Sequence, residues 1–152
     1  MKKKSKKAFT LIELLVVLGV LAVLTSVVFI SFQKPKAKSR DVKRISDIRQ
    51  FVISQEMYEE THKLFFSAPR SLGLPAIPNF MPAIDDPKAG KHYYWLDNTQ
   101  SPTTFCVFAI LENNEECPRE KPIRVFFGYP ERTKDLCLSS TDQITLENCP
   151  PE

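Results

Sequence analysis

Residues 7–32 read KAFTLIELLVVLGVLAVLTSVVFISF. From Leu14 to Phe32 run nineteen residues without a charge, dominated by Leu, Val, Ile and Phe. At about 1.5 Å per residue a helix of that length covers roughly 28 Å, close to the hydrocarbon core of a bilayer. The competing reading is a core helix of a soluble protein. A stretch apolar on every side would then need a much larger protein around it, and this chain has 152 residues, room for one modest domain plus accessory segments. A membrane-spanning helix is therefore expected.

Outward from this run toward the N-terminus lie five lysines, Lys2, Lys3, Lys4, Lys6 and Lys7. Without residues 1–8 the formal net charge turns from +3 to −2, so the basicity of the whole chain says little about nucleic acid. An ordinary secretory signal has a shorter apolar region followed by a small-residue cleavage site. Here the small residue, Ala8, precedes the apolar run, which would survive processing at that point. The lysines favour a cytoplasmic leader. Lys34, Lys36, Lys38 and Arg40 crowd the other flank, however, so charge alone leaves topology open. The cysteines supply an independent argument. Cys106, Cys117, Cys137 and Cys149, an even number confined to the last third, point to an oxidising exterior. With no C-x-x-C pair, and with His62 and His92 distant in sequence, zinc is not expected.

Beyond Pro35, which can start or kink a helix, Ala37 to Glu60 reads as helix. Ile45, Ile48, Phe51 and Val52 recur at three- and four-residue spacing, with Lys43, Asp47 and Glu60 among the polar positions elsewhere. One stem from about Thr10 to Thr61 results. Eleven of the twelve prolines lie beyond it, and Pro69, Pro75, Pro78, Pro82 and Pro87 make the next stretch a connecting loop. His92 to Leu96, Phe105 to Leu111 and Ile123 to Tyr129 read as strands, rich in aromatic and β-branched residues. The expectation is an α+β fold: a long N-terminal helix, membrane-spanning in its first half, packed by its second half on a small antiparallel β-sheet. Its segments are a basic leader (1–8), a transmembrane and assembly helix (9–33), an amphipathic continuation (34–61) and a small β-rich domain with disulfides (62–152). Four cysteines allow three connectivities, and sequence cannot choose among them. The local pairing, Cys106 with Cys117 and Cys137 with Cys149, is the one expected here.

Ala8-Phe9-Thr10-Leu11-Ile12-Glu13-Leu14-Leu15, preceded by lysines and followed by an apolar run, resembles the processing site of type IV prepilins and pseudopilins. In that family a membrane-embedded aspartic peptidase cuts before the aromatic residue and the new N-terminus is methylated. The resemblance implies a cut between Ala8 and Phe9, methylation of Phe9, and Glu13 as the fifth mature residue. The family usually has glycine before the cut, and the Cβ of Ala8 restricts the backbone there. Later stretches are also similar to pilins and major pseudopilins: Arg40 to Ile48 to the helix after the membrane segment, Asp86 to Tyr94 to the opening of the sheet, Phe105 to Glu112 to a following strand. What this implies is a pilin-like fold and a structural subunit of a type IV pilus or type II secretion-like filament, polymerising through its N-terminal helix. Glu13 would pair with the N-terminal amine of an adjacent subunit. Implied partners are identical or related pilin subunits, the prepilin peptidase, an inner-membrane assembly platform and, before assembly, lipid. The implied location is a single pass of the inner membrane with a cytoplasmic N-terminus, then a cell-surface or periplasmic filament. The alternatives are a non-polymerising, membrane-anchored extracytoplasmic binding module, or a minor pilin for DNA uptake or adhesion.

Some pseudopilins hold calcium in their C-terminal loops, and Asp85, Asp86 and Asp97 fall near the first strand. Calcium takes six to eight oxygens, and three scattered aspartates without a D-x-D-x-D-G loop read as turn and cap residues. No cofactor is expected, with calcium the open alternative. The basic cluster Lys34, Lys36, Lys38, Arg40, Lys43, Arg44 and Arg49 could meet DNA phosphates, but it abuts the membrane run and is read as facing headgroups or neighbouring subunits. Tyr93, Tyr94, Trp95, Phe105, Phe126 and Phe127 could form a carbohydrate-binding face, although strand aromatics are more often core. The sequence has no Walker-type glycine loop, no G-x-S-x-G, and no cysteine plausibly paired with a histidine. It is not expected to be an enzyme.

Overall fold

The computed structural model describes residues 9–31, 33–139, 141 and 144–149, leaving aside the side chains of residues 27–31, 33 and 34. The leader, with Ala8, lies outside the described residues. The chain divides into two compact units, Met1–Lys36 and Ala37–Glu152. Helix α1 (Leu11–Ser31) belongs to the first, and helix α2 (Gln33–His62) runs from the end of the first into the second. The second unit also contains five strands, β1 (Ser71–Leu72), β2 (Tyr94–Trp95), β3 (Val107–Ile110), β4 (Ile123–Tyr129) and β5 (Arg132–Leu138).

Helix α2 begins four residues before the expected start. It includes Pro35, which has no backbone N–H to donate. The helix ends at Lys63, whose φ of 63° is left-handed and whose amide returns to the Glu59 carbonyl at 2.7 Å. That is an αL cap formed without glycine. The stripe Ile48, Phe51 and Val52 is buried as its spacing predicts, with Ile45 half-buried beside it.

The sheet is an antiparallel meander in chain order, β1-β2-β3-β4-β5. Alternation sorts its side chains onto two faces. Tyr93, Trp95, Phe105, Val107, Ala109 and Phe126 join the α2 stripe in one core. Tyr94, Leu96, Cys106, Phe108, Val125 and Phe127 form a second core on the other face, covered by Ile144, Leu146 and Cys149 of the C-terminal segment. The register Phe108↔Phe127 and Ala109↔Phe126 keeps this sorting consistent across β3 and β4. Strand β4 coincides with the run expected from sequence, whereas β2 and β3 are shorter than expected. Strands β1 and β5 were not legible. β5 reads RTKDLCL and lies at the edge of the sheet, where charged side chains reach water and discourage edge-to-edge pairing. Its hairpin to β4 is a two-residue loop with Pro130 first and Glu131 second at φ 60°, the residue order of a type II turn.

The cysteines pair Cys106–Cys149 and Cys117–Cys137, which corrects the local pairing. The reason is β3. It extends between Cys106, at the strand's entry, and Cys117, in the loop beyond its exit, and several extended residues at about 3.3 Å each exceed any disulfide's reach. Cys137 sits opposite Arg124 at the exit end, next to the loop carrying Cys117, while the C-terminal segment crosses the second face to reach Cys106.

A Cβ on Gly128 would lie 2.7 Å from Ile48 Cγ2 and 2.8 Å from Val52 Cγ2, so Gly128→Ala is expected to cost about 1–3 kcal/mol by overpacking, read as a lower midpoint of thermal or urea unfolding. Mass mapping of non-reduced peptides is expected to join Cys106 to Cys149 and Cys117 to Cys137, and a Cys106–Cys117 link would contradict the topology.

Candidate assembly site

Helix α1 opens with Thr10, whose hydroxyl accepts the Glu13 amide at 3.4 Å and whose carbonyl accepts the Leu14 amide at 3.3 Å. Thr10-Leu11-Ile12-Glu13 has the residue order of a capping box, with Glu13 at the third helical position. A carboxylate there meets the positive end of the helix dipole. The sequence reading missed Thr10, although T-x-x-E before an apolar run is the signal for it.

From Leu11 to Ser26 every side chain of α1 is exposed within this chain, Leu11 at 88% and Leu15 at 71%. The helix hides its own polar groups: Thr25 Oγ1 donates to the Leu21 and Ala22 carbonyls, and Ser26 Oγ to that of Val23. What remains outward is apolar on all sides, with Glu13 as the one charge of Leu11–Ser31. An apolar surface this extensive marks a site that something else covers. Among the described residues no helix is long and apolar enough to cross a membrane. The run expected to span, 14–32, includes residues outside that description.

The second unit is organised by a buried polar network. Arg44 is wholly buried. Its Nε and Nη2 donate to the two oxygens of Asp86 at 2.6 and 2.7 Å, and its Nη1 donates to Asp41 at 2.7 Å and lies 2.9 Å from Glu112 Oε1. Arg40 forks onto the same Glu112 at 2.7 and 2.6 Å, and Lys88 Nζ adds a bond of 2.9 Å. Asp41 in turn accepts the amides of Glu112 and Asn113. One stage along the helix, Tyr93 donates its hydroxyl to Asp47 at 2.7 Å. The three stretches whose resemblance to pilins was noted, Arg40 to Ile48, Asp86 to Tyr94 and Phe105 to Glu112, are those this network joins.

Burial opposes the charge on Arg44, but its hydrogen bonds to Asp86, Asp41 and Glu112 outweigh it and hold the guanidinium charged well above its ordinary range. Bonds from Arg40, against the opposing effect of burial and helped by Lys88 and Arg44, hold the Glu112 carboxyl well below the usual carboxylate range. Burial and then the Asp47 carboxylate push the Tyr93 hydroxyl up. Asp47, read as one of the polar positions off the apolar stripe, is buried. Arg44 was placed in a basic cluster facing headgroups or neighbouring subunits, yet positions 41, 44, 48, 51, 52 and 55 share one helical face, and that spacing could have revealed its burial.

The remaining candidates are placed by their partners. Asp85 lies 2.9 Å from His92 Nδ1, Asp86 is held by Arg44, and Asp97 accepts the amide and hydroxyl of Thr99. Among the described residues no cluster of His, Cys, Asp and Glu could hold a metal. Of the basic cluster, Arg40, Lys43 and Arg44 are engaged by carboxylates, and Arg49 lies 5.6 Å over the Phe126 ring. Tyr93, Trp95, Phe105, Phe126 and Phe127 are buried and Tyr94 stacks on Phe108, so they form core in place of a binding face.

Arg44→Leu leaves Asp86 and Asp41 without their buried cation and is expected to cost about 3–5 kcal/mol of stability. Because the folded pKa of Glu112 is depressed, the stability it contributes is fully present above its unfolded value of about 4.3 and is lost as pH falls through the lower folded value. Acid titration of unfolding is expected to show this loss below about pH 4, with Glu112→Gln less stable at neutral pH and less acid-sensitive.

No characterised protein and no solved structure matches the chain. Residues 3–29, covering the leader from Lys3 onward, Glu13 and most of α1, match the family model of the prokaryotic N-terminal methylation motif, the signature of type IV pilins and pseudopilins.

Proposed function

We propose that this chain is a non-enzymatic structural subunit of a type IV pilus or type II secretion-like filament. The observation that carries the reading is α1: a helix apolar on every described side, exposed in the single chain, with one carboxylate in its first turn, under a prepilin-type methylation motif. The motif implies a membrane-anchored precursor, processing by a prepilin peptidase and assembly with other pilin subunits.

The mechanism separates two burials of one surface. Before assembly, α1 and the residues that follow it lie in lipid, with the lysine leader on the cytoplasmic side and the second unit outside. Cleavage between Ala8 and Phe9 frees an amine on Phe9, which is then methylated. In the filament the same apolar surface is covered by identical helices, so leaving the bilayer costs little hydrophobic free energy. Glu13 is the exception to this neutrality. At a bilayer centre a carboxylate costs roughly 2.5–3.5 kcal/mol. Near the cytoplasmic interface the cost is smaller, and pairing with the Phe9 amine of a neighbouring subunit makes the buried carboxylate tolerable and sets the axial register. Heterologous contacts of this kind do not close and generate an open fibre.

Glu13→Ala is expected to leave export and both disulfides intact while lowering filament incorporation by more than about tenfold, the effect of some 1.4 kcal/mol per contact. Unchanged incorporation would remove the charge-pairing mechanism. Intact mass of the assembled protein should show an N-terminal methylated Phe9, and retention of residues 1–8 would contradict the processing step.

A further inference from the structure

The outward face of α2 carries a second pattern. Lys38, Val42, Arg49, Ile53, Glu56, Met57 and Glu60 recur at three-, four- and seven-residue intervals on one side of the helix. All but the half-buried Glu56 are exposed, including the apolar Val42 at 61%, Ile53 at 54% and Met57 at 51%. The stripe is polarised: its basic residues lie toward the N-terminal end, its acidic residues toward the C-terminal end. The terminal turns follow the same order, with Lys34 and Lys36 and no acid in the first, and Glu59 and Glu60 ahead of the single basic residue His62 in the last. This runs against the helix dipole, which favours acids at the start and bases at the end. The other ionic side chains of α2 near its middle, Arg40, Asp41, Lys43, Arg44 and Asp47, are paired within the chain. Among the described residues, Lys38, Glu56 and Glu60 have no ion-pair partner of their own.

From this we infer that the stripe is an interface for a second copy of this chain, parallel and displaced along the helix, with Lys38 of one copy against Glu56 and Glu60 of the next. Charge complementarity selects that occupant. Undisplaced parallel copies put like charge against like. A displacement of 18 to 22 residues, about 27 to 33 Å at 1.5 Å each, brings the opposite ends together and sets Met57 of one copy about 5 to 10 Å along the axis from Val42 of the next. A displaced contact is heterologous and repeats without closing. The inference rests on the filament-subunit reading and adds to it a register set outside α1, by side chains other than Glu13.

The test uses the full-length chain in its native host, scoring sheared filaments against the membrane pool. Lys38→Glu alone and the pair Glu56→Lys with Glu60→Lys are each expected to lower incorporation by more than about tenfold, and the three together to restore it. Unchanged incorporation in the reversals, or loss without restoration, overturns the stripe. So does a Lys38→Glu variant whose only defect is weaker membrane retention, which would assign Lys38 to lipid headgroups. A second readout uses cysteines at 38 and 60 in one chain: oxidation of assembled material should give a ladder of multimers. Dimers alone would mean a closed antiparallel pair and overturn the parallel register. If the unsubstituted chain enters no filament, the filament-subunit reading fails as well; if it does so and the reversals still incorporate normally, only the stripe fails.

Discussion

The guanidinium of Arg44 is the interaction on which the second unit depends. Wholly buried, it divides its donors among Asp86 from the loop before β2, Asp41 from its own helix and Glu112 from the end of β3. A buried cation is tolerable only when its donors are matched, and loss of any one acceptor leaves charge uncompensated in a low-dielectric setting. Among the described residues, every buried side-chain nitrogen and oxygen has a hydrogen-bond partner. The network therefore sets rotation and height together. It turns the Ile48, Phe51 and Val52 face of α2 toward the sheet and brings the helix so near β4 that Gly128 has no room for a Cβ.

Around that anchor the rest of the unit solves the problem of a thin domain. Its longest strands have seven residues, and the loop between α2 and β2 has little regular structure. Buried amides hold that loop: Gln55 Oε1 accepts the Phe66 amide, and Asn98 Oδ1 accepts that of Ala68. The Trp95 indole donates to the Ala68 carbonyl from within the core. Two disulfides close loops with sequence separations of 43 and 20 residues, each worth roughly 3–4 kcal/mol in the chain-entropy model. Cys106–Cys149 also ties down the C-terminal segment that covers the second face, which would otherwise expose Phe108 and Phe127.

The two units handle their chemistry in opposite ways. In the second, ionic groups near the helix middle are matched within the chain and aromatic rings are buried. In the first, the described part of α1 is apolar and uncovered, and its single carboxylate stands in the first turn. On the proposed reading, lipid first and copies of this chain afterwards complete the helix that the chain itself leaves uncovered. The polarised stripe of α2 lies between these extremes, with its end charges unanswered by any ion pair among the described residues.

Much of this was legible in the residues alone, because the signals were local. A charge-free run, a lysine leader, Glu13 at a fixed distance from Phe9, the spacing of Ile48, Phe51 and Val52, and the aromatic run of β4 each depend on neighbours a few positions away. The edge strand β5 was not legible, since a polar edge strand lacks the hydrophobic alternation that identifies a central one. Nor were the burial of Asp47, the ion-pair partners of Arg44 or the disulfide partners. Ion pairs at sequence separations of 42 and 72 residues and thiol pairs at 20 and 43 are made by chain segments that only the completed sheet brings together. Sequence by itself determined that this protein has an apolar, singly charged N-terminal helix ahead of a small cysteine-bearing α+β domain. The tertiary structure alone decided which charges that domain buries and which cysteines it joins, because strand direction and helix rotation, set by packing across the whole unit, place those atoms.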